Sequence, residues 1–389
     1  SEQPAMKVTI GRIEPIALRL PLAQPLKRAT GTTTTADNLL VRIEAGAVVG
    51  WGEAAAAPAM TGELLPGMVD AVRFLAPLLE GRSLDDIEGA VACMSQALYG
   101  NPGVRAAIET ALYDALGKVR GQPVHALLGG GRRDSIPVLR YIASGDTDTD
   151  IADAARLRAD GCVAFKLKVG ARQLHEDIER TRAVCAVLGK SLADAEPARP
   201  ATGGAGSGLL VCADANQGWT EANAVEYVRA ISATSVLDFL EQPVHGDDLA
   251  AMARVAAASA IAIGCDEGLR SARDLRDHQA IGAAAGASLK LGKLGGLLAA
   301  RRMALLCDSL GMKVNLACKI AEAGVGTAAL LHLAAAIPSL QWGVALTSTY
   351  LRDDILVQPL QYANGHVQVP SGPGLGVEVD EERVRAFAA

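Results

Sequence analysis

The chain has no Cys-x-x-Cys pair, no internal repeat and no apolar run of the roughly 18 residues that a membrane span requires. Its seven cysteines, at 93, 162, 185, 212, 265, 307 and 318, are odd in number and scattered. That excludes a disulfide framework and a cysteine-built zinc site, and predicts a reduced, cytoplasmic protein with buried thiols. Basic excess is missing as well. With 37 Lys and Arg against 43 Asp and Glu, the net charge of −6 argues against a nucleic-acid footprint. No secretory signal precedes Met6, which is read as the native start with Ser1 to Ala5 added ahead of it. The Gly-rich run at 203–208 superficially resembles a dinucleotide fingerprint, but it leads into a strand where the fingerprint must follow one and open a helix. Neither nucleic acid nor membrane is therefore expected as a partner.

What is present is length and apolar content enough for two domains: 389 residues, 50% of them hydrophobic. Residues 1–130 begin with strand-like stretches at 9–20 and 38–44, joined by a polar, Thr-rich loop at 29–37. They continue into helices, the clearest over 101–117 with Val104, Ala107, Ile108, Ala111, Leu112 and Ala115 on one face. From about 135 to 345 short apolar runs alternate with polar-faced helices, the runs starting at Ile136, Val163, Leu209, Val236, Ile261, Ala287 and Lys313. Seven or eight strand–helix units imply a parallel sheet closed into a barrel. The Gly/Pro-punctuated tail, 361–389, is expected to return to the first zone. The Ala/Pro/Gly-rich stretch 191–208 lengthens one unit by about 20 residues and falls in a helix-to-strand loop, at the end of a barrel away from its chemistry. It reads as an insertion without a chemical role.

Charged residues sit at the ends of these runs. Asp214, Glu241, Asp266 and Lys290 follow one another at 27, 25 and 24 residues, about one strand, one helix and two loops each. Lys166 and Lys168 share a strand face, as do Asp214 and Asn216, because side chains alternate along a strand. Three carboxylates crowded at one barrel mouth repel one another unless a cation neutralises them. All-oxygen ligation without Cys or His favours Mg²⁺ or Mn²⁺ over zinc. Lys168 and Lys290 lie on roughly opposite sides of the barrel, so each can face one side of the α-carbon of a bound carboxylate. Burial and cationic neighbours are expected to lower a lysine pKa toward the neutrality a general base needs.

At these residues the chain resembles the enolase superfamily, within the mandelate racemase/muconate lactonizing group. The motifs are Lys-Leu-Lys at 166–168, Asp-Ala-Asn at 214–216, Glu-Gln-Pro at 241–243, Asp-Glu at 266–267 and Lys-Leu-Gly-Lys-Leu-Gly-Gly at 290–296. The segments 50–63, 105–118 and 123–130 extend the resemblance to nearly the whole chain. It implies an α/β fold, a modified TIM barrel (β/α)7β at 131–360 under an N-terminal α+β capping domain at 1–130, with 361–389 returning to the cap. By position it implies Asp214, Glu241 and Asp266 as metal ligands, Lys168 and Lys290 as acid/base lysines, and Lys166 as their support. Asn216 and Glu267 are read as supporting groups around Lys168, against an Asx turn and a helix-start charge. The resemblance also implies a homo-oligomer.

The implied reaction is abstraction of the proton α to the carboxylate of a small molecule through a metal-stabilised enolate. Racemisation or epimerisation and cycloisomerisation share these residues, and so does a β-eliminating dehydratase. The loop after the eighth strand, 342–354, lacks the Asp-x-Asp with which similar dipeptide epimerases hold an α-ammonium. Thr347, Ser348 and Thr349 suggest hydroxyl contacts instead, and Lys27 and Arg28 could meet a second anionic group. Lys293 is the rival of Lys290 as base, His245 reads as a loop residue, and Cys318 and Lys319 end the seventh strand. A Schiff-base aldolase would have no use for the three carboxylates. A non-catalytic barrel would have no need to keep both lysines.

Overall fold

The computed structural model describes residues 8–28, 31–191 and 208–389, the side chains of 26–32 excepted. The start at Met6, the inserted 192–207 and the side chains of Lys27 and Arg28 lie outside the described residues.

The first unit is an antiparallel meander of β1 (Ile13–Arg28), β2 (Gly31–Ala45) and β3 (Val48–Ala55). From Gly31 on, the Thr-rich stretch expected as a loop is strand, with Leu26 opposite Thr33, Lys27 opposite Thr32 and Arg28 opposite Gly31. β-branched threonines favour extended backbone, and a polar composition does not oppose it where the sheet edge meets water. The sheet is backed by α1 (Leu65–Leu79), α2 (Ile87–Ala97) and α3 (Pro102–Arg120), followed by one turn, α4 (Val124–Leu127). Helix α3 carries the predicted apolar face, and all six of its named residues are fully buried. It can press onto β3 because Gly50 and Gly52 have no side chain: a Cβ there would strike the backbone oxygens of Ala111 and Ala107.

After a short strand, β4 (Ser135–Pro137), the barrel begins at β5 (Arg140–Ile142) and α5 (Thr147–Ala159). It continues through β6 (Ala164–Lys168), α6 (Leu174–Val187), β7 (Leu210–Asp214), α7 (Glu221–Ser232), β8 (Phe239–Glu241), α8 (Leu249–Ala257), β9 (Ile263–Cys265) and α9 (Ala272–Ala280). Then follow β10 (Gly286–Leu289), α10 (Leu291–Leu294), α11 (Leu297–Ser309), β11 (Lys313–Ala317), α12 (Gly324–Ala336) and β12 (Val344–Ala345). The eight strands from β5 to β12 are parallel neighbours in chain order, and Leu139 N donates to Val344 O at 2.8 Å to join the two ends. Side-chain caps start the helices where the sequence has them: Asp146, Thr220, Asp248 and Ser271 each accept from a first-turn N–H.

The run from Ile136 divides between two sheets. β4 pairs with the tail hairpin β13 (Tyr362–Ala363) and β14 (His366–Gln368), and only beyond Val138 does the chain enter the barrel. The tail then reaches the cap, where Ala389 N donates to Ala17 O at 2.9 Å after α13 (Glu381–Phe387). Inside the barrel, strand alternation sorts the layers. Ala164, Cys212 and Phe239 form an apolar floor with Leu139 and Trp342, whose ring stacks on Phe239 at 4.1 Å. Two residues further along the same strands stand Lys166, Asp214 and Glu241. Among the described residues no disulfide occurs, and no helix is long and apolar enough to cross a membrane.

Candidate active site

The charged residues meet at the C-terminal ends of the barrel strands, where this architecture places its chemistry. Lys168 pairs in register with Asp214, and Asp214 with Glu241, so three charged side chains from β6, β7 and β8 share one level. Asp266 follows β9 by one residue and Lys290 follows β10. β6 and β10 are four strands apart in a ring of eight, which puts Lys168 and Lys290 on opposite sides of the mouth with the three carboxylates on the arc between them. The carboxylates are buried to 2% exposure or less, whereas the lysine side chains keep 29% and 11%.

Each carboxylate is turned to an ammonium group. Lys166 donates to Glu241 and lies 3.8 Å from Asp214. Lys168 donates to Asp214 and to Asn216 Oδ1, both at 2.6 Å, and Lys290 donates to Asp266 at 2.5 Å. Lys293 is enclosed, donating to Asp266 Oδ1 at 2.7 Å and to Ser288 O at 3.0 Å, so this rival of Lys290 points under the site instead of into it. Burial opposes ionisation of the aspartates, but Lys168 and Lys166 hold Asp214 below its usual range, and Lys290 and Lys293 do the same for Asp266. Glu241 moves upward, through burial and then the charge of Asp214.

The lysine pKa values run against the sequence expectation. Burial does push Lys168 and Lys290 down, but Asp214 and Asp266 respectively lead the ion pairing that outweighs it, and both amines are held above their ordinary value. As the side chains stand, no three His, Cys, Asp or Glu side chains among the described residues form an ion-holding group. The donor set nevertheless suits a hard divalent cation. Three buried carboxylates on adjacent strands lie close enough for Asp214 and Asp266 to raise Glu241, and beside them the buried Oε2 of Glu267 has no hydrogen-bond partner in the described structure. Glu267, pushed up to about 7 by burial and by Asp266, reaches Lys168 through Asn216, whose Nδ2 donates to its Oε1 at 3.0 Å.

Asn216 takes a left-handed backbone (φ 41°), with its N–H on Asp214 Oδ1, so the turn and the side-chain bridge coexist. Gln242 is also left-handed (φ 36°), and its Oε1 accepts from Asp266 N and Gly268 N, which fixes the Asp-Glu turn against the Glu-Gln-Pro turn. Thr347 is buried and its hydroxyl donates to Lys319 O at 2.6 Å, while Ser348 Oγ lies 3.2 Å from Tyr362 Oη. Both hydroxyls have partners within the protein. His245 is exposed on its loop and Cys318 is buried beside Thr327.

Several participants escaped the sequence reading. Arg180 of α6 donates to the Lys168 carbonyl and pairs with Asp150 at 2.7 Å and Asp177 at 3.0 Å, fastening the base of that strand end. Tyr141 of β5 places its ring 5.7 Å from Lys168 Nζ. Glu322, after β11, is a buried carboxyl pushed up to about 7 by burial, within the field of Lys290. Glu53 of β3 spans the two units, accepting from Ala323 N at 2.7 Å and Gly326 N at 2.8 Å. The spacing of the strand-end motifs carries no trace of these contacts, since each depends on which elements become neighbours.

Two family models match. "Mandelate racemase / muconate lactonizing enzyme, N-terminal domain" covers residues 13–129, and "Enolase C-terminal domain-like" covers 150–383. Muconate cycloisomerase 1-1 of Acinetobacter lwoffii is 34% identical over 98% of this chain and 96% of its own length. N-succinyl-L-Arg/Lys racemase of Bacillus cereus is 29% identical over 98% and 97%. The crystal structure of a muconate lactonizing enzyme from Pseudomonas fluorescens complexed with muconolactone superposes with a TM-score of 0.87 at 32% identity, covering 98% of this chain and all of that one.

Proposed function

Because the chain belongs to the mandelate racemase/muconate lactonizing enzyme family, we propose that it is an Mg²⁺-dependent isomerase whose Lys168 and Lys290 exchange the proton α to a small-molecule carboxylate. The observation that carries this reading is the placement of those two amines across the mouth, with Asp214, Glu241 and Asp266 between them. Those three carboxylates would hold the ion. Bound there, a divalent cation supplies positive charge to the substrate carboxylate and so stabilises the added charge of its enolate.

The protein's own groups do the rest. A carboxylate engaged elsewhere no longer holds a lysine protonated, and burial then favours the neutral amine. One lysine, as neutral amine, removes the α-proton and becomes an ammonium; the other, starting as ammonium, returns a proton to the carbon. Delivery from the opposite face inverts the centre; in a cycloisomerisation a second carboxylate of the substrate adds to the double bond, closing the ring, and one lysine gives its proton to the α-carbon of the resulting enolate. Lys166, enclosed between Glu241 and Asp214, stays charged and adds positive potential beneath the substrate. The apolar floor of Phe239 and Trp342 closes the site from below.

The relatives supply the first probes. The chain should be incubated in D₂O with Mg²⁺ and muconate, or N-succinyl-lysine and N-succinyl-arginine, following α-hydrogen exchange or muconate consumption by NMR. Lys168→Ala and Lys290→Ala are each expected to slow turnover by about 10²- to 10⁴-fold, and chelation to abolish it. Normal turnover in either variant, or after full chelation, overturns the assignment.

A further inference from the structure

Lys168 is the more exposed of the two facing amines, and a lysine stem has four freely rotating carbons. Its hydrogen-bond acceptors, Asp214 and Asn216, both come from β7 and its following turn, so they hold the ammonium from one side only. The other side is closed by the ring of Tyr141, 5.7 Å from Nζ, within the distance at which an aromatic face attracts a cation. Tyr141 belongs to β5, the strand on the opposite flank of β6, in register with Lys166.

The ring is itself braced. Tyr350, in the turn Ser348–Tyr350 after β12, meets Tyr141 edge-on, with centroids 5.7 Å apart and planes at 60°. Tyr141 stands on the first strand of the barrel and Tyr350 in the turn after the last, so the contact spans the seam. Neither phenol oxygen has a hydrogen-bond partner among the described residues. What these tyrosines present to their neighbours is therefore their rings.

We propose that Tyr141, braced by Tyr350, is a positioning residue that aims Lys168 across the mouth. A carboxylate in its place would steer the side chain and also hold its proton. An uncharged ring steers with a weaker grip on the proton, which suits a group that must give and take one. The role rests on the proposed acid/base work of Lys168, but the placement itself can be read without turnover.

The experiment compares wild type, Tyr141→Phe and Tyr141→Leu in protein labelled with ε-¹³C lysine, with the Lys168 and Lys290 signals assigned through Lys168→Arg and Lys290→Arg. The expected result is a displaced Lys168 ε-CH₂ signal in wild type and in Tyr141→Phe, collapse toward the free-lysine position in Tyr141→Leu, and no movement of Lys290. On any acid that wild type exchanges, Tyr141→Leu should lower kcat about tenfold with KM little changed, and Tyr141→Phe should behave as wild type. Equal effects of Phe and Leu, no effect of Leu, or equal movement of Lys290 would each overturn the proposal. If Tyr141→Leu does not fold, Tyr350→Leu removes the brace alone and should shift Lys168 in the same sense; an unmoved signal overturns the proposal. Inactivity of wild type on every acid would count against the proposed function and leave the NMR result to decide this point.

Discussion

Lys290 and Lys293 are three residues apart and both donate to Asp266, yet one faces the mouth and the other is sealed beneath it. Removing Lys293 leaves Asp266 with Lys290 alone and strips the enclosed carbonyls of Asp266 and Ser288 of their donor, at about 1–3 kcal/mol for each unsatisfied group. Lys293→Ala is thus predicted to lower unfolding free energy by that order in a urea titration. Lys290→Ala should cost clearly less, because its amine is partly exposed and gives up only the bond to Asp266, while its loss appears in turnover. A larger stability loss in Lys290→Ala would contradict the assignment of roles. The residues that meet at the mouth were legible because strand alternation and a step near 25 residues are written into the sequence. What became of each was not. The expected drop in lysine pKa ignored that Asp214 and Asp266 would be the nearest partners, and the loop hydroxyls of Thr347 and Ser348 were already matched by Lys319 O and Tyr362.

Helix α12 is apolar on every side and all 13 of its residues are buried, so its one imidazole is enclosed with it. His332 stacks on His125 of α4, with ring centroids 5.2 Å apart, and its Nε2 lies 3.0 Å from Leu375 O in the tail. Burial lowers its pKa from 6.5 to about 4. Between those values the unfolded chain binds a proton that the folded chain refuses, so stability falls as pH is lowered through the window. At about 1.4 kcal/mol per unit the loss amounts to roughly 3 kcal/mol. Urea midpoints at pH 4.5 and 7 should differ less in His332→Gln than in wild type; an unchanged difference would exclude this residue as the source. Elements of this kind were legible where the apolar pattern fixed them, as in α3, whose expected face is buried. They were misread where composition stood in for conformation. Polarity alone predicts a loop for the threonines that form β2, and apolarity alone predicts one strand at Ile136, whose residues serve two sheets.

At the scale of the whole molecule, cap and barrel are held together by buried polar contacts. Asn38 Nδ2 donates to Glu53 at 2.7 Å and to Ala321 O at 2.9 Å, and Glu53 accepts the first N–H groups of α12. Glu109 of α3 accepts from Leu298 N at 2.8 Å, at the start of α11, while its other oxygen is buried without a hydrogen-bond partner in the described structure. Burial raises Glu109 to about 8. The unfolded chain releases this proton near 4.5 and the folded one retains it, so this group's contribution declines as pH rises from about 4.5 to about 8. Glu109→Gln should flatten the alkaline side of the stability profile measured by thermal unfolding between pH 6 and 8.5; an undiminished slope would show that Glu109 is already ionised. Such joints could not be read from the chain, because each links residues 189 or more positions apart whose proximity follows only from how the two units dock. The stacked rings of Phe239 and Trp342 carry a consequence of their own. They close the floor beneath the charged residues, so isotope from bulk water reaches the two amines from the mouth, where Lys168 is 29% and Lys290 11% exposed. Turnover that outruns that exchange would leave on one lysine the hydrogen it has just removed, to be handed to the next substrate that reacts in the reverse sense, and this would appear as retained label.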